Sequence, residues 1–95
     1  MRKTLSIAEK KVLRAKSYSL KPVVLIGQRG ISDAVLSEIE TALESHELMK
    51  VRFGEADREE RRKLASVISE SAGAELVQQI GRVAVFFRPR NKQNK

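Results

Sequence analysis

An apolar segment that runs through a glycine turn into an amphipathic helix constrains this chain more than any other feature. Residues 21–26 predict a buried strand, because a short apolar run that ends at glycine is typical of strands. The turn that follows is Gly27-Gln28-Arg29-Gly30, and residues 32–46 repeat apolar side chains at helical spacing. A helix N-terminus presents free backbone N–H groups and a positive dipole end. The turn can therefore hold an anion such as a phosphate, although glycines also occur in turns for conformational reasons alone.

Three amphipathic helices are predicted, and each begins at a residue that can cap its first turn. Ser6 and Glu9 form a capping box for a helix over residues 6–17, and Ser32 caps the helix after the glycine turn. Asp57 opens a third helix, which ends at Gly73. In the first helix we expect four side chains to face the core: Leu5, Ala8, Val12 and Ala15.

Four strands complete the prediction, over residues 21–26, 48–53, 75–80 and 82–88. Helices between the early strands favour parallel pairing, whereas Gly81 between the last two favours a tight hairpin. The fold class is therefore α/β, ordered α-β-α-β-α-β-β, with a mixed four-stranded sheet and three helices. Alternation places Phe86 and Phe87 on opposite faces of the last strand, so that only one of them is expected in the core.

Basic and acidic side chains are segregated along the chain. Residues 1–30 hold eight Lys and Arg against one carboxylate, residues 31–60 three against nine, and residues 61–95 eight against two, with a formal net charge of +7. If the two basic ends meet in space, they form one positive face that attracts nucleic acid or an anionic membrane. The first helix supplies three basic side chains opposite its expected core face, and none has an acidic partner three or four positions further on. They are Lys10, Lys11 and Arg14.

Several classes of function are disfavoured by what the sequence lacks. The 95 residues contain no cysteine, which excludes disulfides and thiol-based sites. No apolar run approaches the length of a membrane span and no signal peptide precedes the first helix, so we expect a cytoplasmic protein. The turn matches neither a Walker loop nor a dinucleotide fingerprint, which argues against nucleotide hydrolysis. His46 is interpreted as a helix-end residue, and the carboxylates of residues 57–60 as stabilisers of a helix N-terminus.

The motifs together resemble the CRM domain family. The matching segments span residues 4–89: 20–27 with Gly30, 46–48, 50–51, 57–60, 73–78 and 80–81. The chain is similar to the bacterial stand-alone form, the YhbY type, and the resemblance implies a fold similar to the C-terminal domain of translation initiation factor three. It also implies RNA binding and association with precursors of the large ribosomal subunit. The family turn commonly has lysine at its second position, where this chain has Gln28, and the positive charge moves to Arg29.

The sequence therefore predicts a monomeric, non-enzymatic RNA-binding domain over residues 1–89, with a basic flexible tail over residues 90–95 and no cofactor or metal. The expected partner is large-subunit ribosomal RNA or a pre-ribosomal particle. The residues predicted to contact RNA are Gly27, Gln28, Arg29, Gly30, Lys10, Lys11, Arg14, Lys21, Arg88 and Arg90. Two alternatives stay open: a module for duplex nucleic acid or a membrane surface that uses the same charge, and an RNA-processing enzyme that uses His46 or the carboxylates of residues 57–60.

Overall fold

The elements of the fold follow the predicted order in a computed structural model that describes residues 5–27 and 30–89. Three helices and four strands alternate as α1 (Ile7–Ser17), β1 (Val24–Ile26), α2 (Asp33–His46), β2 (Leu48–Phe53), α3 (Arg58–Ala72), β3 (Glu75–Ile80) and β4 (Val83–Phe87). The sheet has the strand order β1-β2-β4-β3. The β1–β2 pair is parallel and the other two pairs are antiparallel, which confirms the predicted mixed α/β fold.

Each helix begins at its predicted cap. Ser6 Oγ accepts the N–H of Glu9 at 3.1 Å, and Glu9 Oε1 accepts the N–H of Ser6 at 2.9 Å, which completes the capping box. Ser32 and Asp57 each accept the backbone N–H three residues further on, at 3.2 and 2.8 Å. At its other end, α3 terminates at Gly73 in the left-handed conformation.

Strand β1 is shorter than predicted and contains only Val24–Ile26. The difference follows from Pro22, which has no N–H to donate to a neighbouring strand. The N–H of Val23 still donates to Lys50 O at 3.1 Å, so the segment lies alongside β2 before the regular ladder begins. Strand β4 also starts one residue later than predicted, because Arg82 belongs to the hairpin turn with Gly81.

The main core lies between the sheet and the layer formed by α2 and α3. Met49, Val51 and Phe53 point into it from alternate positions of β2, as predicted. Phe86 is completely buried there, whereas Phe87 is half-buried on the opposite face of the sheet, packed against a second, smaller cluster.

The first helix packs with a different face from the one predicted. Three of the four side chains expected in the core are exposed: Ala8, Val12 and Ala15. Leu13 instead packs in the second cluster, and Ser17 is buried with its hydroxyl donating to Arg14 O at 2.7 Å. Lys10 and Arg14 lie on this inward side and are half-buried, since the aliphatic stems of long basic side chains can cover apolar surface.

Helix α1 covers only part of the second face of the sheet. Leu48 at the start of β2 and Phe87 at the end of β4 lie in the cluster beneath it. Towards the other edge, paired residues form a row across all four strands that no helix covers. The row consists of Leu25, Arg52, Val83 and Ile80.

Candidate nucleic-acid interface

The glycine turn closes on itself immediately before α2. The N–H of Gly30 donates to Gly27 O at 3.1 Å, while Gln28 and Arg29 between them lie outside the described residues. Gly30 has φ +74°, a left-handed conformation that costs other residues about 1–2 kcal/mol, so the backbone requires glycine here. Because Ser32 caps α2 two residues later, the turn lies beside the positive end of the α2 dipole.

Other segments meet this turn at one edge of the sheet, where β1 and β2 end and the β3–β4 hairpin turns. The N–H of Gly54 donates to Ile26 O at 2.8 Å, and a Cβ at Gly54 would lie only 3.2 Å from that oxygen. Arg61 Nη1 donates to Ala56 O at 2.7 Å, which ties α3 to the loop before it. We call this region the turn edge. It comprises Gly27 and Gly30, residues 54–57, the first turn of α3 with Arg61 and Arg62, Arg52 beside them on β2, and residues 81–82.

Five arginines belong to the turn edge. Arg61 is half-buried and the other four are exposed, and no carboxylate in residues 5–27 or 30–89 forms an ion pair with any of them. They are Arg52, Arg58, Arg61, Arg62 and Arg82. Guanidinium groups without a neighbouring counter-charge give this edge a positive potential, and they suit phosphate oxygens because they donate in a planar fork.

The arginines of α3 were not among the residues predicted from the sequence to form the site. Arg58 lies in the most acidic third of the chain and is followed by Glu59 and Glu60, so the local charge balance conceals it. The signal that could have found the group is spacing, since Arg58 and Arg62 are four residues apart and share one side of the helix.

The predicted basic residues of the first helix lie elsewhere. Lys10 and Arg14 are half-buried on α1 and Lys11 is exposed, on a helix that covers the second face of the sheet. Lys21 is exposed just before β1, at the opposite end of the strand from the glycine turn. The structure therefore does not bring these four residues to the turn edge, although Arg52 lies on the uncovered part of the same sheet face.

Arg88 is engaged within the fold. Its Nη1 donates to Glu40 Oε1 at 3.0 Å and to Ala72 O at 2.8 Å, and its Nη2 donates to Glu44 Oε2 at 3.1 Å. It follows β4 at the end of the sheet opposite the glycine turn, so it does not lie at the turn edge. Arg90, the other predicted contact at this end of the chain, lies outside the described residues.

The residues that the enzymatic alternative would use, His46 and the carboxylates of residues 57–60, lie at helix ends. His46 is exposed at the last position of α2, and Asp57 accepts the N–H of Glu60 at the start of α3. Within the part of the chain that the structure describes, no group of three or more His, Cys, Asp or Glu side chains could hold a metal ion. None of the helices in that part combines the length and the apolar character needed to cross a membrane.

Comparison with known proteins shows the family and the fold of this chain. A model of the CRS1/YhbY (CRM) domain matches residues 5–88. An RNA-binding protein of Haemophilus influenzae is 42% identical over 86 residues, which cover 90% of this chain and 87% of the relative. A probable RNA-binding protein of Pseudomonas aeruginosa is 38% identical over 87 residues, covering 92% and 84%. The solution structure of a Staphylococcus aureus protein, described as a candidate RNA-binding protein, matches with a TM-score of 0.83 and 31% identity, over 95% and 94% of the two chains.

Proposed function

The chain belongs to the CRS1/YhbY (CRM) domain family, and we propose that it is a non-enzymatic RNA-binding protein that acts on precursors of the large ribosomal subunit in the cytoplasm. The observation that supports RNA binding is the turn edge, where a glycine turn, the start of α2 and five arginines meet. None of these arginines has an ion-pair partner among the described residues. The relative from Haemophilus influenzae is described as an RNA-binding protein and the one from Pseudomonas aeruginosa as a probable RNA-binding protein, which supports the same ligand here. The part of the proposal that concerns precursors of the large ribosomal subunit rests on the family resemblance.

The proposed contacts are made with the RNA backbone. The glycine turn and the N-terminus of α2 hold one phosphate, and Arg29 supplies the charge that the family turn usually carries on lysine. Arg52 and Arg82 extend the positive surface beside the turn. Lys10, Lys11, Arg14 and Lys21 would contact RNA only where it reaches the second face of the sheet.

Base stacking contributes little in this proposal. Phe53 and Phe86 are completely buried and Phe87 is half-buried, so within the described residues Tyr18 is the one exposed aromatic side chain. Sequence-specific recognition of unpaired RNA commonly depends on stacking against aromatic rings. The protein is therefore expected to select RNA by the shape and charge of its backbone rather than by base identity.

Crosslinking in cells, followed by sequencing of the attached RNA, tests the proposed target. We expect enrichment of large-subunit ribosomal RNA and its precursors. Arg29→Ala should reduce this enrichment, whereas the matched charge loss Lys16→Ala on exposed α1 surface should preserve it. Attached RNA spread evenly over messenger RNA would contradict a role in subunit assembly.

Two experiments separate this function from its alternatives. Unlabelled structured RNA should displace a labelled RNA hairpin better than duplex DNA does, and the protein should not sediment with anionic vesicles. Incubation with ribosomal RNA and a divalent metal should leave the RNA intact. Cleavage that disappears in a His46→Ala variant would show that the protein is an enzyme.

A further inference from the structure

A second basic site lies at the turn edge, on the side of α3 that faces β3. Here a pocket is lined by Arg58, Arg61, Arg62, Gln79 and Gly81. We propose that this pocket binds a phosphate group of the RNA backbone at a position separate from the glycine turn. The inference rests on the proposed function, because it takes RNA to be the source of the phosphate.

The donors that line the pocket converge from one side of a helix. Arg58 and Arg62 are four residues apart on α3, so their exposed side chains extend from the same side of the helix. Each guanidinium can give two parallel hydrogen bonds to a phosphate, a geometry that lysine cannot reproduce. Gln79 on β3 adds an amide group to the same pocket.

Arg61 gives the pocket a fixed positive group. Its Nη1 is held by Ala56 O at 2.7 Å, so this side chain is positioned by the fold. Its Nε is buried and has no hydrogen-bond partner among the described residues. Buried donors in proteins are nearly always paired, and a donor on a charged group favours an anionic acceptor. A phosphate in the pocket would be an anionic acceptor for the exposed guanidinium groups of Arg58 and Arg62, whereas the buried Arg61 Nε is not accessible from the solvent.

Neighbouring carboxylates leave the pocket positive. None of the residues that line it is acidic. Glu59 lies three residues before Arg62 on α3, but the two side chains form no ion pair in the part of the chain that the structure describes. The carboxylate of Asp57 accepts the N–H of Glu60 and so caps the helix. The acidic residues next to these arginines in the sequence therefore neither line the pocket nor form ion pairs with them.

The pocket and the glycine turn lie at different positions along the turn edge. The turn follows β1 and the pocket adjoins the end of β3, and these are the two outer strands of the sheet. Three strand spacings of about 4.8 Å separate them, which is about 14 Å. RNA that occupies both sites is therefore expected to place different phosphates in them.

The experiment compares two variants that lose the same charge. Arg58→Gln with Arg62→Gln removes two guanidinium groups from the pocket, and Lys16→Gln with Lys63→Gln removes two exposed charges outside it. Affinity for a labelled RNA hairpin is measured from about 50 to 200 mM salt. We expect the slope of log affinity against log salt to fall by about one in the pocket variant and by less than half of that in the control variant. A variant with lysine at both arginine positions should keep the slope and lose affinity, because it retains charge without the paired donors.

The outcomes distinguish this inference from the proposed function. RNA binding by the wild-type protein, with equal slopes for the pocket and control variants, would overturn the second phosphate site and leave RNA binding in place. No RNA binding by the wild-type protein would overturn both. Thermal unfolding followed by circular dichroism checks that the pocket variant is folded. In the wild-type protein, added inorganic phosphate should shift the NMR signals of the Arg58 and Arg62 Nε–H groups, and unchanged signals would also count against the pocket.

Discussion

At the scale of single residues, Arg88 joins the end of β4 to both helices of the main layer. Its side chain is 21% exposed, and its guanidinium donates to carboxylates of α2 and to the last carbonyl of α3. The planar group with several donors can reach these acceptors together, which a lysine cannot do. From sequence, Arg88 is a basic residue at the end of a strand, and its carboxylate partners lie more than forty positions away. Local pattern could not reveal them, so nothing in the sequence indicated that this predicted RNA contact is engaged within the fold.

Replacing Arg88 should weaken folding more than RNA binding. Arg88→Ala is expected to lower the free energy of unfolding by about 1–3 kcal/mol, because Ala72 O loses its charged donor and two carboxylates lose their partner. Arg62→Ala, which removes an exposed arginine with no described partner, should stay within about 0.5 kcal/mol. Urea unfolding of both variants measures the difference. Equal losses of stability, with weaker RNA binding only in Arg88→Ala, would support the prediction that Arg88 contacts RNA.

At the scale of elements, α1 has two faces with apolar residues, and only tertiary packing decides between them. The face with Val12 was predicted to be buried because its residues recur at helical spacing away from the basic ones. Val12 is 56% exposed, and the helix packs instead through Leu13 and Ser17. Half-buried Lys10 and Arg14 lie beside Leu13 and Ser17 on the packed side of the helix. Basic residues therefore did not mark the solvent-facing side, since their stems can pack while their charged ends reach water.

Truncation of neighbouring side chains tests this orientation of α1. Leu13→Ala should destabilise the protein by about 2 kcal/mol, because it removes apolar contacts from the second cluster. Val12→Ala should cost no more than about 0.5 kcal/mol, since its side chain is mostly in solvent. Chemical denaturation of the two variants provides the comparison. A larger loss for Val12→Ala would show that the predicted face is the packed one.

At the scale of the whole molecule, the parts of the fold encoded by neighbouring residues were predictable. Ser6, Ser32 and Asp57 each cap a helix at the predicted position, and strand alternation along β2 correctly identified its core residues. The position of β4 between β2 and β3 depends on pairing between distant segments and was not predicted. Pairing between distant segments also explains why only part of the candidate site could be predicted. The glycine turn is contiguous and was recognised, whereas Arg52, Arg58 and Arg82 meet only once the sheet has formed.

The charge of the whole molecule leads to a prediction about Arg29 and Lys10. The sequence placed both on one positive face, but α1 covers the second face of the sheet at a distance from the turn edge. Each of Arg29→Ala and Lys10→Ala should reduce the slope of log RNA affinity against log salt by about one if its charge contacts a phosphate. Lys16→Ala, also on α1, serves as the matched control. Binding of a labelled RNA hairpin across a salt series measures all of these variants and the double variant.

The double variant shows how the RNA lies on the protein. Sites that do not share partners have additive effects, so the free-energy losses of Arg29→Ala and Lys10→Ala should sum to within about 0.5 kcal/mol. Losses in both single variants that add in the double variant would mean that the RNA extends from the glycine turn over Arg52 to α1, along the uncovered half of the second sheet face. A loss confined to Arg29→Ala would restrict RNA to the turn edge, because Lys10 then contacts no phosphate. An unchanged slope in the double variant would overturn the placement of RNA at both residues.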